Sequence, residues 1–397
     1  MKPTENIETD IFLDLLWILV DSQMKILNLR LQKNEKSTGI AATVHWEDSD
    51  RPAQEIFIET EKEFSGHISC NPDAFLVGCI VPAIHLGEKR VFLDAGIDPM
   101  LREGLYAVMT VLKEWSGGKY RPLKIEAKTN SIVRYAEKQR VAGMFLSGGI
   151  DSLAALRTNS INYPEDHPGS IKDCLIIHGF DIGGVVERGM KYHVFDRARD
   201  AMSIVAKDAN VRLIPVYTNI RHLCDERELW LDKFFGAVLA SVAHAFVARL
   251  NLVFVASSYD IANLVPCGSH PLLDPEYSSY ELRIKLRDLE LSRLDKLRLI
   301  ADWDPAFQNF RVCLANVEDR LNCGKCEKCV RTMTELVAIG ALDKTRAFVE
   351  DDVTPELLSS FNILIRHRAS FYREMLSPLK ERGRDDLVQT IKKMLAG

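Results

Sequence analysis

Residues 141–256 alternate short, continuously apolar stretches with longer stretches of helical periodicity, and no other feature of the chain constrains its fold as much. We expect strands at Val141–Leu146, Cys174–Ile177, Val211–Val216 and Leu252–Ala256. We expect helices between them at Asp151–Thr158, Tyr192–Asp208 and Lys233–Leu250. Strands that are apolar throughout are typical of a parallel sheet covered by helices on both faces. The pattern therefore predicts an α/β fold with a doubly wound parallel sheet.

The segments on either side of this pattern predict further units. Residues 1–138 are interpreted as an N-terminal α+β domain, with helical spacing over Ile11–Leu31 and a second helix at Leu101–Trp115. Strand-like stretches lie at Ala41–Trp46, Glu55–Glu59 and Phe92–Leu93, and a last one is expected at Arg121–Ala127. The polar stretch Lys128–Arg140 marks the boundary to a central domain at 139–345, and 346–397 is predicted to be a helical tail. We expect the first domain to dock beside the central one and to shape the site at which the central domain would bind a substrate.

Composition excludes several classes of protein. The 397 residues are 47% hydrophobic and 27% charged, which is typical of a globular chain with a substantial core. The formal net charge of −5 argues against binding to nucleic acid through bulk charge. The densest apolar run, Ile11–Val20, contains Asp14 and is far shorter than the roughly 20 residues of a membrane span. Because the acidic N-terminus is also unlike a secretory signal, a cytoplasmic protein is expected.

The segment Ser147-Gly148-Gly149-Ile150-Asp151-Ser152 is the strongest local motif. It follows an apolar strand and opens a helix, so the glycines would let the backbone approach an anion at the helix N-terminus. The two serine hydroxyls add donors, and Asp151 can hold Mg²⁺ against a phosphate. The spacing differs from the GxxxxGK[ST] of a Walker loop. A capped glycine turn without function is the simpler alternative, but the strand, the motif and the helix together favour a phosphate site.

Polar residues also follow the next two predicted strands. His178-Gly179-Phe180-Asp181 follows one, and Thr218-Asn219-Ile220-Arg221 follows the other. The carboxyl ends of parallel strands share one edge of a sheet, where ligands bind. We therefore predict that His178, Asp181, Thr218, Asn219 and Arg221 belong to a nucleotide site. In this interpretation Asp181 binds ribose or magnesium, and Arg221 neutralises a phosphate.

A proline-rich loop follows the fourth strand, and we expect its polar groups Ser269, His270, Asp274 and Ser278 to face a substrate. His270 is the candidate acid or base, although a histidine in a loop is more often a structural hydrogen-bonding group. Beyond this loop, Arg293 and Lys296 lie one helical turn apart, and a solvated helix face is the simpler interpretation of the pair.

Four cysteines, Cys313, Cys323, Cys326 and Cys329, form a cluster with CxxCxxC spacing in its second part. The set is suited to a closed tetrahedral zinc site. An iron–sulfur cluster and a group of redox thiols remain open alternatives.

Taken together, these motifs resemble the PP-loop ATP pyrophosphatase superfamily, of the HUP type, over residues 140–345. The resemblance implies that Ser147, Gly148, Gly149, Asp151 and Ser152 hold pyrophosphate and Mg²⁺. It also implies that ATP is cleaved between its α and β phosphates and that AMP is transferred to a substrate oxygen. The four-cysteine site is similar to that of 7-cyano-7-deazaguanine synthases. The full set of motifs HGFD, TNxR, GSHPLLDP and NCGKCEKC is similar to that of asparagine synthetase-like PP-loop proteins.

The resemblance implies an ATP-, Mg²⁺- and Zn²⁺-dependent ligase that adenylates a carboxylate for attack by ammonia or an amine. The acceptor carboxylate would belong to a small molecule, a nucleobase, a sugar or a peptide. Whether the protein assembles into a homodimer stays open. Two alternatives stay open: a sulfurtransferase acting on tRNA or a small molecule through Cys267, and a non-catalytic nucleotide-binding partner in a defence or assembly complex.

Overall fold

A computed structural model describes residues 24–47, 49–130, 140–183, 190–364 and 367–397. Its centre is a ten-stranded mixed sheet with the strand order β10-β9-β6-β7-β8-β3-β2-β1-β4-β5. The strands are β1 (Met24–Lys33), β2 (Ser37–His45), β3 (Gln54–Glu61), β4 (Arg90–Ile97), β5 (Lys124–Thr129), β6 (Val141–Phe145), β7 (Ile171–His178), β8 (Arg212–Thr218), β9 (Leu250–Ala256) and β10 (Arg283–Arg287). The described chain is therefore α/β, as predicted.

Helices cover the sheet. Those of nine or more residues in the described ranges are α1 (Pro72–His85), α2 (Pro99–Trp115), α3 (Ile150–Asn162), α4 (Tyr192–Asp208), α5 (Phe235–Ala245), α6 (Arg293–Ala301), α7 (Glu327–Ile339) and α8 (Asp385–Ala396). Shorter α-helical segments lie at Arg227–Leu229, Asp304–Phe307, Pro355–Ser359, Ala369–Glu374 and Leu376–Glu381. Single-turn 3₁₀ segments and one π segment, Trp230–Phe234, connect them.

Strands β6 to β10 form a parallel half-sheet whose order explains where a ligand would bind. From β6 the chain moves to β7 and β8 on one side, and then returns to β9 and β10 on the other side. The direction of winding therefore reverses between β6 and β9. In sheets of this kind the crevice beyond the carboxyl ends of the strands at that point is where ligands bind. The four predicted strands correspond to β6, β7, β8 and β9, while β10 was missed because its alternating Arg and Lys give it a polar sequence.

The N-terminal strands differ from the prediction in one respect. Met24–Lys33 is a strand, so the helix expected over Ile11–Leu31 is wrong for its last eight residues, and the rest of that segment lies outside the described residues. Met24 and Ile26 are fully buried while Lys25 between them is not, which is the two-residue period of a strand. α1 was also missed as a helix, because it is apolar on all sides and so lacks an amphipathic period.

The sheet is continuous across the predicted boundary between the first two domains. β3 pairs antiparallel with β8, with Ile58 opposite Thr218 and Thr60 opposite Val216. Thr60 Oγ1 also donates a hydrogen bond to the carbonyl of Pro215 at 2.7 Å. The division at 138 remains a prediction, and part of the stretch Lys128–Arg140 lies outside the described residues.

Two apolar cores lie on opposite faces of the sheet. The first is built by α1, α2 and α5 together with side chains of β1 to β4, β7 and β8. The second is built by α3, α4, α6, α7 and α8 against the parallel strands. Helices on both faces agree with a doubly wound arrangement. None of the described helices is long and apolar enough to cross a membrane.

Candidate functional site

The SGGIDS segment forms the turn from β6 into α3, at the edge where the winding of the sheet reverses. Gly148 has φ +79°, a conformation that favours glycine, and Gly149 is the N-cap of α3 without a side-chain cap. The hydroxyls of Ser147 and Ser152 lie 3.3 Å apart, and Ser152 Oγ donates to the carbonyl of Gly149 at 2.9 Å. A helix N-terminus whose first amides lack a side-chain acceptor is suited to a phosphate. The local geometry therefore supports the predicted phosphate loop.

Asp151 is the anionic centre of this edge. Its carboxylate lies 3.3 Å from Arg293 Nη1 and 3.7 Å from Lys296 Nζ, both on α6. Arg293 also contacts Glu335 of α7 at 3.3 Å, and Lys296 donates to the carbonyl of Ser257 at 2.6 Å. Burial lowers the pKa of Arg293, but Glu335 and Asp151 more than offset this, so the pKa is raised.

The solvated helix face predicted for Arg293 and Lys296 is therefore wrong. The side chain of Lys296 is 1% exposed and that of Arg293 is 9% exposed. The sequence shows a pair of cations one turn apart, but it does not show that α7 and the phosphate loop enclose them. Both cations lie at the Asp151 edge, where they can neutralise anionic substrate groups.

A second carboxylate, missed from the sequence, lies near Asp151. Asp288 follows β10 with φ +58° and is 4% exposed. Neither of its carboxylate oxygens has a hydrogen-bond partner among the described residues. Burial and the charge of Asp151 raise the pKa of Asp288, whereas Arg287 and Lys296 lower it. The Asp288 carboxylate therefore interacts electrostatically with both Lys296 and Asp151. Its Oδ1 lies 3.8 Å from Arg287 Nε, and a buried carboxylate that accepts no hydrogen bond from the described residues can hold a divalent cation.

Lys328 and Arg331, in the first turns of α7, bring two more cations to this edge. Burial lowers the pKa of Lys328, and Arg331 and Arg293 lower it further, while Asp181 and Asp151 raise it. Lys328 therefore interacts with carboxylates from the ends of both β6 and β7. The guanidinium of Arg331 lies 4.5 Å from the ring centroid of Phe371, which stacks on Tyr259 at 5.5 Å. Two cations, Lys328 and Arg331, and two aromatic rings, Phe371 and Tyr259, therefore lie on the β9 side of the SGGIDS turn.

Arg311 links the phosphate loop to the cysteine cluster. Its backbone N–H donates to the carbonyl of Gly148 at 2.8 Å, and its guanidinium donates to the Asn316 side chain and to the carbonyl of Asp181. Burial lowers the pKa of Arg311, and Asp181 opposes that shift. Cys313 lies two residues further along the chain. The segment that carries the first thiol of the cluster is therefore hydrogen-bonded to the SGGIDS turn through Arg311.

The four cysteines converge as predicted. Their sulfur atoms lie within 4.8 Å of one another, with 3.8 Å between Cys323 and Cys329 and 3.9 Å between Cys313 and Cys326. A Zn–S bond of about 2.3 Å gives a tetrahedron with an edge of about 3.8 Å. Backbone N–H groups of residues 315, 325 and 326 donate to the sulfurs at 3.3–3.4 Å, which stabilises thiolates. The cluster could therefore hold a single metal ion such as zinc.

His178 and Asp181 follow β7 as predicted, but the two side chains differ in burial and in their contacts. His178 is 1% exposed and stacks on Tyr192 at 4.4 Å, and its Nε2 has no hydrogen-bond partner among the described residues. Burial lowers its pKa, so the imidazole is neutral at physiological pH. Asp181 is partly exposed, and one of its carboxylate oxygens accepts from Arg221 at 3.1 Å.

The side chains of Thr218, Asn219 and Arg221 are used within the protein, and the prediction that they contact nucleotide is not supported by their geometry. Thr218 Oγ1 donates to the carbonyl of Phe57 at 2.6 Å, and Asn219 bonds to the backbone of residues 55 and 57 in β3. Arg221 is 4% exposed and is held between Asp181 and Asp225. These residues join β8 to β3 and position Asp181, because β3 lies beside β8 and competes for their polar groups.

This assignment gives a prediction for Thr218. Thr218→Val should lower the free energy of unfolding by about 1 kcal/mol, since one buried hydrogen bond is lost, while ATP affinity stays unchanged. Urea unfolding and calorimetric ATP titration measure the two effects. Thr60→Val, which removes the 2.7 Å bond to Pro215 in the same seam, is the matched control. A fall in ATP affinity for Thr218→Val alone would return Thr218 to the nucleotide site.

The GSHPLLDP loop is also more internal than predicted. His270 is 8% exposed, packs edge-on against Trp115 at 4.9 Å, and accepts at Nδ1 from the backbone N–H of Leu272. Ser269 Oγ donates to Asp274 at 2.6 Å, and Ser278 Oγ accepts from the N–H of Ile284. These polar groups hold the loop to its own turn and to α2 and β10. This geometry supports neither the prediction that they face a substrate nor the role of His270 as acid or base.

Asp274 makes stability depend on pH. Burial raises its pKa from 3.8 to about 7, with Ser269 and His270 opposing the shift. The folded protein therefore keeps a proton on Asp274 that the unfolded chain releases, and stability falls as pH rises from about 4 to about 7.

Asp274→Asn should remove this dependence. Relative to wild type it should gain stability on the order of 4 kcal/mol between pH 4 and pH 7.5, because an amide needs no proton to stay neutral. Urea unfolding of both proteins at several pH values measures the difference. A difference that does not change with pH would show that Asp274 is ionised in the folded state.

Comparisons of the chain with protein-family models, with curated proteins and with solved structures gave no match. The function is therefore argued from the motifs and from the geometry of the site.

Proposed function

We propose that the protein is an ATP-dependent ligase of the PP-loop type. An acceptor carboxylate attacks the α-phosphate of ATP, an acyl-adenylate forms, and pyrophosphate leaves. Ammonia or an amine then attacks the acyl carbon, an amide forms, and AMP leaves. The observation that carries the proposal is the SGGIDS turn at the reversal point of the parallel sheet, opening α3 with an uncapped N-terminus.

The charges around the turn support cleavage between the α and β phosphates. Arg293, Lys296, Lys328 and Arg331 gather at the same edge as Asp151, and pyrophosphate is a highly charged leaving group that cations stabilise. The N–H groups at the start of α3 would bind its oxygens, and the two serine hydroxyls would donate to them.

Asp151 and Asp288 are the residues that would hold Mg²⁺. Both are carboxylates near Lys296, and Asp288 has no hydrogen-bond donor among the described residues. A bound Mg²⁺ ion would neutralise part of the negative charge of the phosphates. The aromatic pair Tyr259 and Phe371, on the β9 side, offers a flat apolar surface for the nucleobase or the acceptor.

The sulfurtransferase alternative is less well supported. It needs a reactive thiol, and burial raises the pKa of Cys267 to about 11. The Cys267 thiol also donates to the carbonyl of Leu231 at 3.6 Å. A thiol with a raised pKa holds little thiolate at neutral pH and is a weak nucleophile.

The proposal is tested by separating the products formed from ATP. The full-length protein is incubated with Mg²⁺, ATP, ammonium and a panel of small-molecule, nucleobase, sugar and peptide carboxylates, and the products are identified by phosphorus NMR. We expect AMP and pyrophosphate in equal amounts with at least one acceptor. Acceptor-dependent formation of ADP and phosphate would instead indicate attack on the γ-phosphate with an acyl-phosphate intermediate, and it would overturn the proposal.

A further inference from the structure

A second cluster of metal-ligating side chains lies apart from the four cysteines. His85 is in the last turn of α1, and Cys224 and Glu226 follow the 3₁₀ turn Ile220–Leu223 beyond β8. His85 Nε2 lies 3.0 Å from Glu226 Oε1, and Cys224 Sγ lies 3.8 Å from the same oxygen. The three ligand atoms all lie within 4.8 Å of one another.

The distances fit one small ion. With bonds of about 2.0 Å to nitrogen and oxygen and about 2.3 Å to sulfur, tetrahedral angles place the nitrogen and oxygen about 3.3 Å apart and the sulfur and oxygen about 3.5 Å apart. The observed 3.0 and 3.8 Å are within half an ångström of these values. In the same structure the four cysteine sulfurs converge in the same way, at distances that also suit an ion.

The surroundings of His85 are those of a metal ligand. Its other ring nitrogen, Nδ1, lies 2.7 Å from the hydroxyl of Tyr120, which is 6% exposed. Ligating histidines commonly have such a partner, which fixes the ring and leaves the opposite nitrogen for the metal. Exposure also increases across the cluster, from Cys224 at 1% to the side chain of Glu226 at 63%, so an ion could enter from the Glu226 side.

We propose that His85, Cys224 and Glu226 form a second metal site for a borderline divalent cation, Zn²⁺ or its analogue Co²⁺. A thiolate and an imidazole disfavour Mg²⁺ and Ca²⁺, which take oxygen ligands. Burial raises the pKa of Cys224 to about 11, so the ion would displace the thiol proton when it binds. One thiolate, one carboxylate and a neutral imidazole then balance the two charges of the ion. Three protein ligands leave a fourth position for water or another ligand, as in catalytic rather than closed structural zinc sites.

The site would connect two distant parts of the chain. His85 and Tyr120 belong to the N-terminal strands and helices, whereas Cys224 and Glu226 follow β8. The bound ion would fasten the end of α1 to the segment beyond Arg221, at the same edge of the sheet as the phosphate loop.

The test is the number of zinc ions held by the full-length protein. Wild type and Cys224→Ala are saturated with Zn²⁺, dialysed and measured by plasma mass spectrometry, with Cys70→Ala as the control for loss of a thiol elsewhere. We expect about one ion fewer per chain in Cys224→Ala than in wild type and in Cys70→Ala. After the four-cysteine site is filled with Zn²⁺, titration with Co²⁺ should add a thiolate charge-transfer band in the wild type that is missing in Cys224→Ala.

Two further variants separate metal binding from folding. His85→Asn should also lose about one ion, and Tyr120→Phe should weaken Co²⁺ binding by about 10- to 100-fold, since only the support of His85 is removed. Melting temperatures measured without added metal show whether each variant is folded. Equal zinc content in folded wild type, Cys224→Ala and His85→Asn would overturn the proposal and leave a His–Glu ion pair.

Discussion

Asp151→Asn is expected to abolish acceptor-dependent release of pyrophosphate, with a loss of about 10³-fold or more. Two reasons combine. The carboxylate that would hold Mg²⁺ is lost, and Arg293 and Lys296 lose the anion that orients them at 3.3 and 3.7 Å. The fold should survive, because Arg293 keeps its contact with Glu335 and Lys296 keeps its bond to the Ser257 carbonyl. Initial rates of pyrophosphate release and thermal melting measure the two effects.

The matched control is Asp166→Asn, which changes an exposed aspartate beyond the other end of α3. It should keep the wild-type rate. Retention of wild-type turnover by Asp151→Asn would show that Asp151 is not needed for the reaction. The positions of Arg293 and Lys296 would then not depend on this carboxylate.

Cys326→Ala is expected to lower the melting temperature by about 10 °C and to remove about one metal ion per chain. A closed structural site contributes its binding free energy to folding, and Cys326 is one of the four converging thiols and directly precedes α7. The loss should extend to the ATP site, because α7 carries Lys328 and the Cys313 segment donates to Gly148 through Arg311. Calorimetry, metal analysis and ATP titration on one preparation measure all three changes.

Cys70→Ala is again the control, since Cys70 is a half-buried thiol outside the cluster. It should keep the metal and ATP affinity. A Cys326→Ala protein that melts like the wild type would show that the four thiols hold no structural ion. A visible iron–sulfur absorption band in anaerobically purified wild type would show that the four cysteines bind an iron–sulfur cluster and not zinc.

The parallel half of the fold and the SGGIDS turn from β6 into α3 could be predicted from the sequence because both depend on local patterns. Continuous apolar stretches placed four strands within a few residues, and SGGIDS places glycine where the chain needs φ +79° at residue 148. The four cysteines could be predicted in the same way, because metal ligands recur at short fixed spacings.

Features that depend on distant neighbours could not be predicted. Thr218 and Asn219 have the residue types of a nucleotide site, but β3, more than 150 residues earlier in the chain, takes their hydrogen bonds. Asp288 carries no motif, and only its burial without a donor, near Lys296, marks it as part of the site. The sequence likewise gives no sign that β3 joins β8, because pairing between strands leaves no local pattern.

In the proposed function the phosphates of ATP lie against the turn at residues 147–152, and Gly149 allows a direct test. Among the described residues, a Cβ added at Gly149 would meet only Ser147 Oγ at 3.4 Å and the Arg311 carbonyl at 3.9 Å, so the folded protein can accept a side chain there. Such a side chain would, however, fill the space in front of the first amides of α3. Gly66, where an added Cβ meets no atom of the described part of the chain within 4 Å, provides the control.

The measurement is calorimetric titration of Mg·ATP into full-length wild type, Gly149→Val and Gly66→Val, each checked for an unchanged melting temperature. We expect saturable binding at one site in wild type and Gly66→Val, and a loss of about 100-fold or more in Gly149→Val, because its side chain displaces the phosphates. Wild-type affinity in a folded Gly149→Val protein would show that ATP binds elsewhere and would rule out this turn as the phosphate site.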